Sequence, residues 1–166
     1  MSPIKQLWAP WRMTFLKDEN VMRTGCVFCN LLKEEQDSKN LILHRSKTSF
    51  VILNKYPYNN GHLMVVPLKH TADFDTLNAS ELAELMDLSN HCMKALKEVY
   101  QPEGYNFGLN LGAAGGAGIR EHLHFHLVPR WLGDTNFMPV LADIKTMPQH
   151  LEESFKQLEP YFRRLS

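Results

Sequence analysis

With 166 residues, 44% of them hydrophobic, the chain can bury roughly two-thirds of its unfolded surface, so neither disulfides nor a metal are required merely to build a core. Lys plus Arg is 18 and Asp plus Glu is 18, a formal charge of +0. That excludes an overall basic field drawing nucleic acid polymers or anionic membranes, so a phosphate-bearing ligand has to be gripped locally.

The opening residues lack the continuous apolar run of a secretory leader, and no stretch approaches the length of a membrane span, so a cytoplasmic location is expected. Residues 1–25 carry Trp8, Pro10, Trp11 and Phe15 without periodicity and read as an arm packing on the domain or on a partner subunit. Cys26-Val27-Phe28-Cys29 follows. In a reduced compartment this spacing points to metal or redox chemistry more than to a disulfide framework, and a pair of buried thiols is the plainer alternative. Residues 30–39 are polar and helix-compatible. Residues 41–44 and 49–53 read as two short strands with a turn at 45–48. Tyr56-Pro57-Tyr58-Asn59-Asn60-Gly61 breaks the pattern, and 62–67 is an apolar run ending in proline, as in a buried strand.

Asn78-Ala79-Ser80-Glu81 has capping-box form, and Leu82, Leu85, Met86, Ser89, Cys92, Met93, Leu96 and Val99 then recur at helical spacing, with Cys92 in the core. Tyr105, Phe107, Leu109 and Leu111 alternate with Asn106, Gly108 and Asn110, which is strand periodicity. A helix from about residue 148 places Leu151, Phe155, Leu158 and Phe162 on one side, with Pro160 expected to kink or end it. The order predicts a single α+β domain with a mostly antiparallel sheet, one long helix and a C-terminal helix.

The chemistry concentrates in His122-Leu123-His124-Phe125-His126, which also has strand periodicity: three imidazoles project from one side while Leu123, Phe125 and Leu127 point into the core. The chain has eight histidines in all, so the clustering carries the signal. His44, His91 and His150 receive no role, and Trp131 and Tyr105 are either core aromatics or walls of a base pocket. Upstream lies the glycine-rich stretch 112–118, whose bare amides suit a phosphate or, equally, a hairpin connection.

His122-Leu-His124-Phe-His126-Leu-Val128 resembles the signature of the histidine triad superfamily, alternating histidine with apolar residues. The resemblance extends through Ser49-Phe50-Val51-Ile52-Leu53-Asn54 and Gly61-His62-Leu63-Met64-Val65-Val66-Pro67, and covers roughly 26–131. An arm at 1–25 and an extension at 132–166 lie outside it. The run from Glu121 to Phe137, with Trp8-Ala9-Pro10-Trp11-Arg12, looks like the branch of diadenosine tetraphosphate phosphorylases and related hydrolases.

That resemblance implies a nucleotidyl hydrolase or transferase cleaving dinucleoside polyphosphates. His124 would be the nucleophile forming a covalent nucleotidyl-histidine, and His126 and His62 would counter the phosphoryl charge. Asn54 would meet the ribose, Asn110 the phosphate or leaving-group side, and the amides of Gly116, Ala117 and Gly118 the equatorial oxygens. Many members carry Ser, Thr or Gln in that loop, whereas this chain has Gly116-Ala117-Gly118-Ile119-Arg120-Glu121, so hydrolysis and phosphorolysis both stay open. The resemblance also implies a structural zinc held by Cys26, Cys29, His70 and His122, and a homodimer through the strand at 105–111 or the long helix. Alternatives are a nucleoside phosphoramidase, a non-catalytic nucleotide-binding protein, and a zinc hydrolase using the triad histidines as ligands. No organic cofactor, nucleic acid polymer or membrane is expected as a partner.

Overall fold

The Cys-x-x-Cys segment is itself the start of a helix. In the computed structural model, which describes residues 25–134 and 147–165, α1 (Val27–Lys33) opens from an extended Cys26 and gives way to Glu35, whose φ of 50° leaves helical geometry. The helix expected over 30–39 is therefore corrected. It starts inside the cysteine motif and stops at Lys33, because long-range bonds hold the polar stretch that follows as turns: Arg45 grips Asp37 at 2.6 Å, and Asn40 Nδ2 donates to Leu31 O at 3.3 Å. All but the last residue of the expected N-terminal arm lies outside the described residues.

Five strands make one sheet: β1 (Ile42–Arg45), β2 (Ser49–Leu53), β3 (Leu63–Pro67), β4 (Gly104–Leu109) and β5 (Phe125–Arg130). Their order is β1-β2-β3-β5-β4, and every neighbouring pair is antiparallel. The long helix, α2 (Ala79–Tyr100), begins with the expected capping box: Asn78 Oδ1 accepts from the N–H groups of Ser80 and Glu81, and Glu81 reaches back to the N–H of Asn78. α3 (Leu151–Phe162) runs through Pro160 and only then tightens into a 3-10 turn. The proline lies near the helix end, where its missing N–H removes a single bond. Among the described residues, no helix is long and apolar enough to cross a membrane.

Strand periodicity divides the central residues between two cores. Val51, Leu53, Leu63, Val65, Leu123, Phe125 and Leu127 face one way and pack with Leu85, Cys92 and Leu96 of α2 and Phe155, Leu158 and Phe162 of α3. Phe50, Ile52, Met64 and Val66 face the other way and pack with Phe28 of α1 and Ile42. All residues of β2 and β3 are buried. His124 and His126, alternating with Leu123, Phe125 and Leu127, therefore lie on the α1 face, away from the long helix.

The triad strand is shorter than expected: β5 begins at Phe125. The preceding residues stay extended but bond elsewhere, Leu123 N–H donating to Thr71 O at 2.8 Å in the segment that follows β3. β4 ends at Leu109 and is the sheet's terminal strand, so the outer part of the run expected at 105–111 is not paired strand. Between β2 and β3 the chain turns sharply at Gly61. Its φ is +73°, and a Cβ there would stand 2.9 Å from the Tyr100 ring. Only glycine fits this approach, which delivers His62 to the head of β3.

Candidate active site

Four histidines form a hydrogen-bonded set whose proton positions follow from their main-chain partners. A carbonyl oxygen only accepts and an amide N–H only donates. His122 Nε2 lies 2.8 Å from Pro67 O, so it carries the proton, and Nδ1 bears the lone pair of the neutral ring. His124 Nδ1 lies 2.9 Å from His122 O, so here Nδ1 carries the proton and Nε2 the lone pair. Tyr58 N–H donates to His62 Nδ1 at 3.0 Å, which puts the proton of neutral His62 on Nε2, and that nitrogen sits 3.0 Å from His126 Nδ1. His126 then bears its own proton on Nε2. The result is a lone pair on His124 beside a donor on His126, with ring centroids 4.8 Å apart.

Three of these rings, His62, His122 and His124, are buried, and burial of imidazole is tolerated when its nitrogens are paired. His62 is 0% and His124 5% exposed. Burial also pushes the His122 pKa below its ordinary value, against a raising contribution from the Pro67 carbonyl.

A cavity of about 490 Å³ opens over the pair. His124 and His126 line it together with Asn54, Lys55, Tyr56 and Tyr58 from the β2–β3 connection, and Gly118 and Ile119 from the glycine-rich stretch. Val27, Phe28, Leu31, Leu41, Ile52 and Met64 add apolar wall, and Leu151 and Glu152 reach in from α3. Asn54 Oδ1 accepts from Tyr56 N–H at 2.9 Å.

The sequence expectations sort against this geometry. His62 stands behind His126 and does not line the cavity. Asn110 Nδ2 donates to Gly116 O at 3.4 Å, tying the loop to the end of β4. The N–H groups of Gly116 and Ala117 turn inward to Ala113 O and Gly112 O at 3.1 and 3.2 Å, so Gly118, not those two, is the glycine-loop residue of the expected trio on the cavity wall. Tyr105 donates to Met93 O and packs on the core, and neither it nor Trp131 lines the cavity. The aromatic walls are Phe28, Tyr56 and Tyr58. Sequence reasoning passed over them because Phe28 sits inside a ligand motif and the tyrosines inside a pattern break.

On the far side of His122 a second cluster forms. Its Nδ1 is 3.2 Å from Cys26 Sγ, 3.7 Å from Cys29 Sγ and 3.4 Å from His70 Nδ1, while Cys29 Sγ is 3.5 Å from His70 Nδ1. The four ligand atoms lie within 4.8 Å of one another, close enough to bind a metal. Burial, foremost, pushes the Cys26 thiol up to about 11.

A family profile described as the HIT domain matches residues 34–131. The chain belongs to the HIT domain family. An AP-4-A phosphorylase of Mycobacterium tuberculosis is 36% identical over 97% of this chain and 86% of its own. An adenosine 5'-monophosphoramidase of Saccharomyces cerevisiae is 30% identical over 64% of this chain and 63% of its own. Among solved structures, a zinc-bound histidine triad family protein from Mycobacterium smegmatis superposes with a TM-score of 0.67 at 25% identity, covering 85% of this chain and 95% of that one. A histidine triad nucleotide-binding protein from Sulfolobus tokodaii gives 0.68 at 25% identity, covering 84% and 93%.

What holds the His62 loop of this family member lies far along the chain. Asn59 Nδ2 donates to Asp134 at 2.7 Å and to Pro129 O at 3.1 Å, and Asp134 pairs with Arg130 at 2.6 Å. The Arg130 hydrogen bond, first among several, holds the Asp134 carboxyl below the ordinary carboxylate range. A depressed folded-state pKa contributes stability above the unfolded value and loses it as pH falls. Asp134→Asn should therefore cost about 2 kcal/mol at pH 7, with the gap to wild type closing below about pH 4. Urea unfolding at several pH values measures this, and a gap independent of pH would contradict the assignment.

Proposed function

We propose that the chain cleaves a dinucleoside polyphosphate, with His124 Nε2 as the nucleophile at phosphorus. The observation that carries this reading is the His124 Nδ1–H to His122 O bond, which directs the lone pair of a cavity-lining imidazole onto Nε2. The 36% identity to an AP-4-A phosphorylase supports the substrate class.

In this mechanism the base occupies the apolar part of the cavity. Asn54, its Oδ1 engaged by Tyr56, offers Nδ2 to the ribose. Lys39 and Lys55, on the cavity wall, supply local positive charge in a chain of net charge +0. Nε2 attacks the α-phosphorus, the N–P bond forms, and the bridging P–O bond breaks as the remaining polyphosphate departs as an anion. His126 Nε2–H donates a hydrogen bond to the charge that builds on phosphoryl oxygen. The nucleotidylated ring is cationic, and the carbonyl of His122 beneath Nδ1–H stabilises it. Water or inorganic phosphate then attacks phosphorus and the N–P bond breaks. Transfer to water releases a proton, whereas transfer to phosphate yields a nucleoside diphosphate. The similarity to an adenosine 5'-monophosphoramidase favours a second reading, with an amine as leaving group at the same His124.

Zinc suits the Cys26, Cys29, His70 and His122 cluster. Tetrahedral zinc with two sulfur and two nitrogen ligands has edges of roughly 3.3–3.8 Å; four of the six edges here measure 3.2 to 3.7 Å, and all four ligand atoms lie within 4.8 Å of one another. The Pro67 carbonyl presets His122 Nδ1 as a ligand nitrogen. A bound zinc would occupy a closed four-ligand site, with a bracing role and no open position for substrate. The reading also includes a homodimer through β4, which is terminal in the sheet and carries Phe107 at 40% exposure.

His124→Asn is expected to lower turnover by on the order of 10⁴-fold or more while nucleotide still binds. Mass spectrometry of quenched wild type should find a nucleotidyl adduct, and near-normal turnover by the variant would end the proposal. Product analysis separates the acceptors: ADP formed only with inorganic phosphate means phosphorolysis, and AMP without it means hydrolysis. Elemental analysis should find one zinc per chain. Cys29→Ser should lose it and melt at a markedly lower temperature, whereas full stability without metal would count against the site. Light scattering should give twice the chain mass, and a fully active monomer would remove the dimer.

A further inference from the structure

One side chain touches both the cysteine–histidine cluster and the cavity. Phe28 is 2% exposed, and its ring lies 5.4 Å from His122 and 5.3 Å from His124, with Phe50 behind it at 6.1 Å. In sequence it stands between the two thiols. It also belongs to the cavity wall with Val27 and Leu31 of the same helix.

The helix that carries it has seven residues, too few to hold its shape in water without tertiary anchors. Its N-terminal anchors are the Cys26 and Cys29 contacts to His122 and His70, and its C-terminal ones are bonds from Asn40 and Arg45 to the carbonyls of Leu31 and Leu32. Whatever ties the two sulfurs to His70 and His122 thus fixes where Phe28 presses on His124.

We propose that Phe28 is a positioning residue coupling occupancy of the Cys26–Cys29–His70–His122 cluster to nucleotide binding at His124. With a metal in the cluster, α1 is clamped, the Phe28 ring holds the His124 imidazole over the His122 carbonyl, and the wall keeps its shape. Without one, the helix start loosens and both are lost together. Coupling of this kind is reciprocal: metal strengthens nucleotide binding by the same factor as nucleotide strengthens metal binding. The inference rests on the proposed function only in taking a nucleotide as the occupant of the cavity.

The test uses the full chain with AMP and zinc as probes. AMP affinity is measured by calorimetry with and without zinc, and zinc affinity by chelator competition with and without AMP. Both factors should be equal and about tenfold or more in wild type, and should fall to near one in Phe28→Leu, which keeps an apolar side chain, the fold and the metal. Equal AMP affinity in both metal states of wild type would overturn the proposal. So would a coupling that survives in Phe28→Leu, the outcome expected if metal loss merely unfolded the protein.

A second readout needs no nucleotide. In nitrogen-15 spectra the His124 Nδ1–H should be a slowly exchanging, hydrogen-bonded proton in zinc-loaded wild type. It should exchange fast after metal removal, and also in zinc-loaded Phe28→Leu. Failure of AMP to bind in any state would defeat the nucleotide reading and leave this spectrum to decide the coupling. A Nδ1–H signal unchanged by both treatments would refute it.

Discussion

A neutral imidazole has one proton and two nitrogens, and in this protein main-chain groups decide where three such protons reside. Pro67 O accepts a hydrogen bond from His122 Nε2–H, His122 O accepts one from His124 Nδ1–H, and Tyr58 N–H excludes a proton from Nδ1 of His62. The lone pair of His122 faces two thiols, that of His124 sits in a ring lining the cavity, and His126 presents a donor beside it. Side-chain partners would titrate and swivel, whereas these three are fixed by sheet and turn. The backbone course around β3 and β5 is therefore part of the site's chemistry as well as its support.

Electrostatics follow the same local logic. The chain has no net charge to concentrate anions, and its glycine-rich loop uses two of its amides to close upon itself. Charge at the cavity comes instead from Lys39 and Lys55, with Glu152 opposing them. The glycines earn their place sterically: Gly116 has a φ of +81°, and a Cβ on Gly115 would stand 2.3 Å from Leu111 O. The loop is shaped by close packing, and only its last part reaches the cavity.

Much of this was legible in the sequence because it is periodic. The alternation in 122–128, the apolar runs of β2 and β3 and the capping box at Asn78 each depend on neighbours a few positions away, and β2, β3 and the cap appeared within a residue or two of their expected places. The cysteine–histidine set was legible through family resemblance, and its four ligand atoms do converge. What stayed hidden depends on distant partners. The helix start at Val27 was obscured by its two cysteines. The strand start slipped from His122 to Phe125 because Thr71, not a neighbouring strand, takes the Leu123 N–H. The bond from Asn59 to Asp134 spans 75 positions, beyond any local pattern, and Phe28 reads as an ordinary core aromatic until its two histidine neighbours are seen.

The burial of every residue in β2 and β3 has an evolutionary consequence. A strand with one wet face can drift, because alternate positions accept polar changes and later compensate for losses on the inner face. Ser49–Leu53 and Leu63–Pro67 have no such reserve: all are buried, and every side chain from Phe50 to Leu53 and from Leu63 to Val66 meets one apolar core or the other. Change in this part of the chain must proceed by paired, volume-matched exchanges across the sheet. Descendants are expected to diversify at the outer strand β4 and in the connections, and to keep the central ten positions nearly unaltered even where the cavity acquires a different substrate.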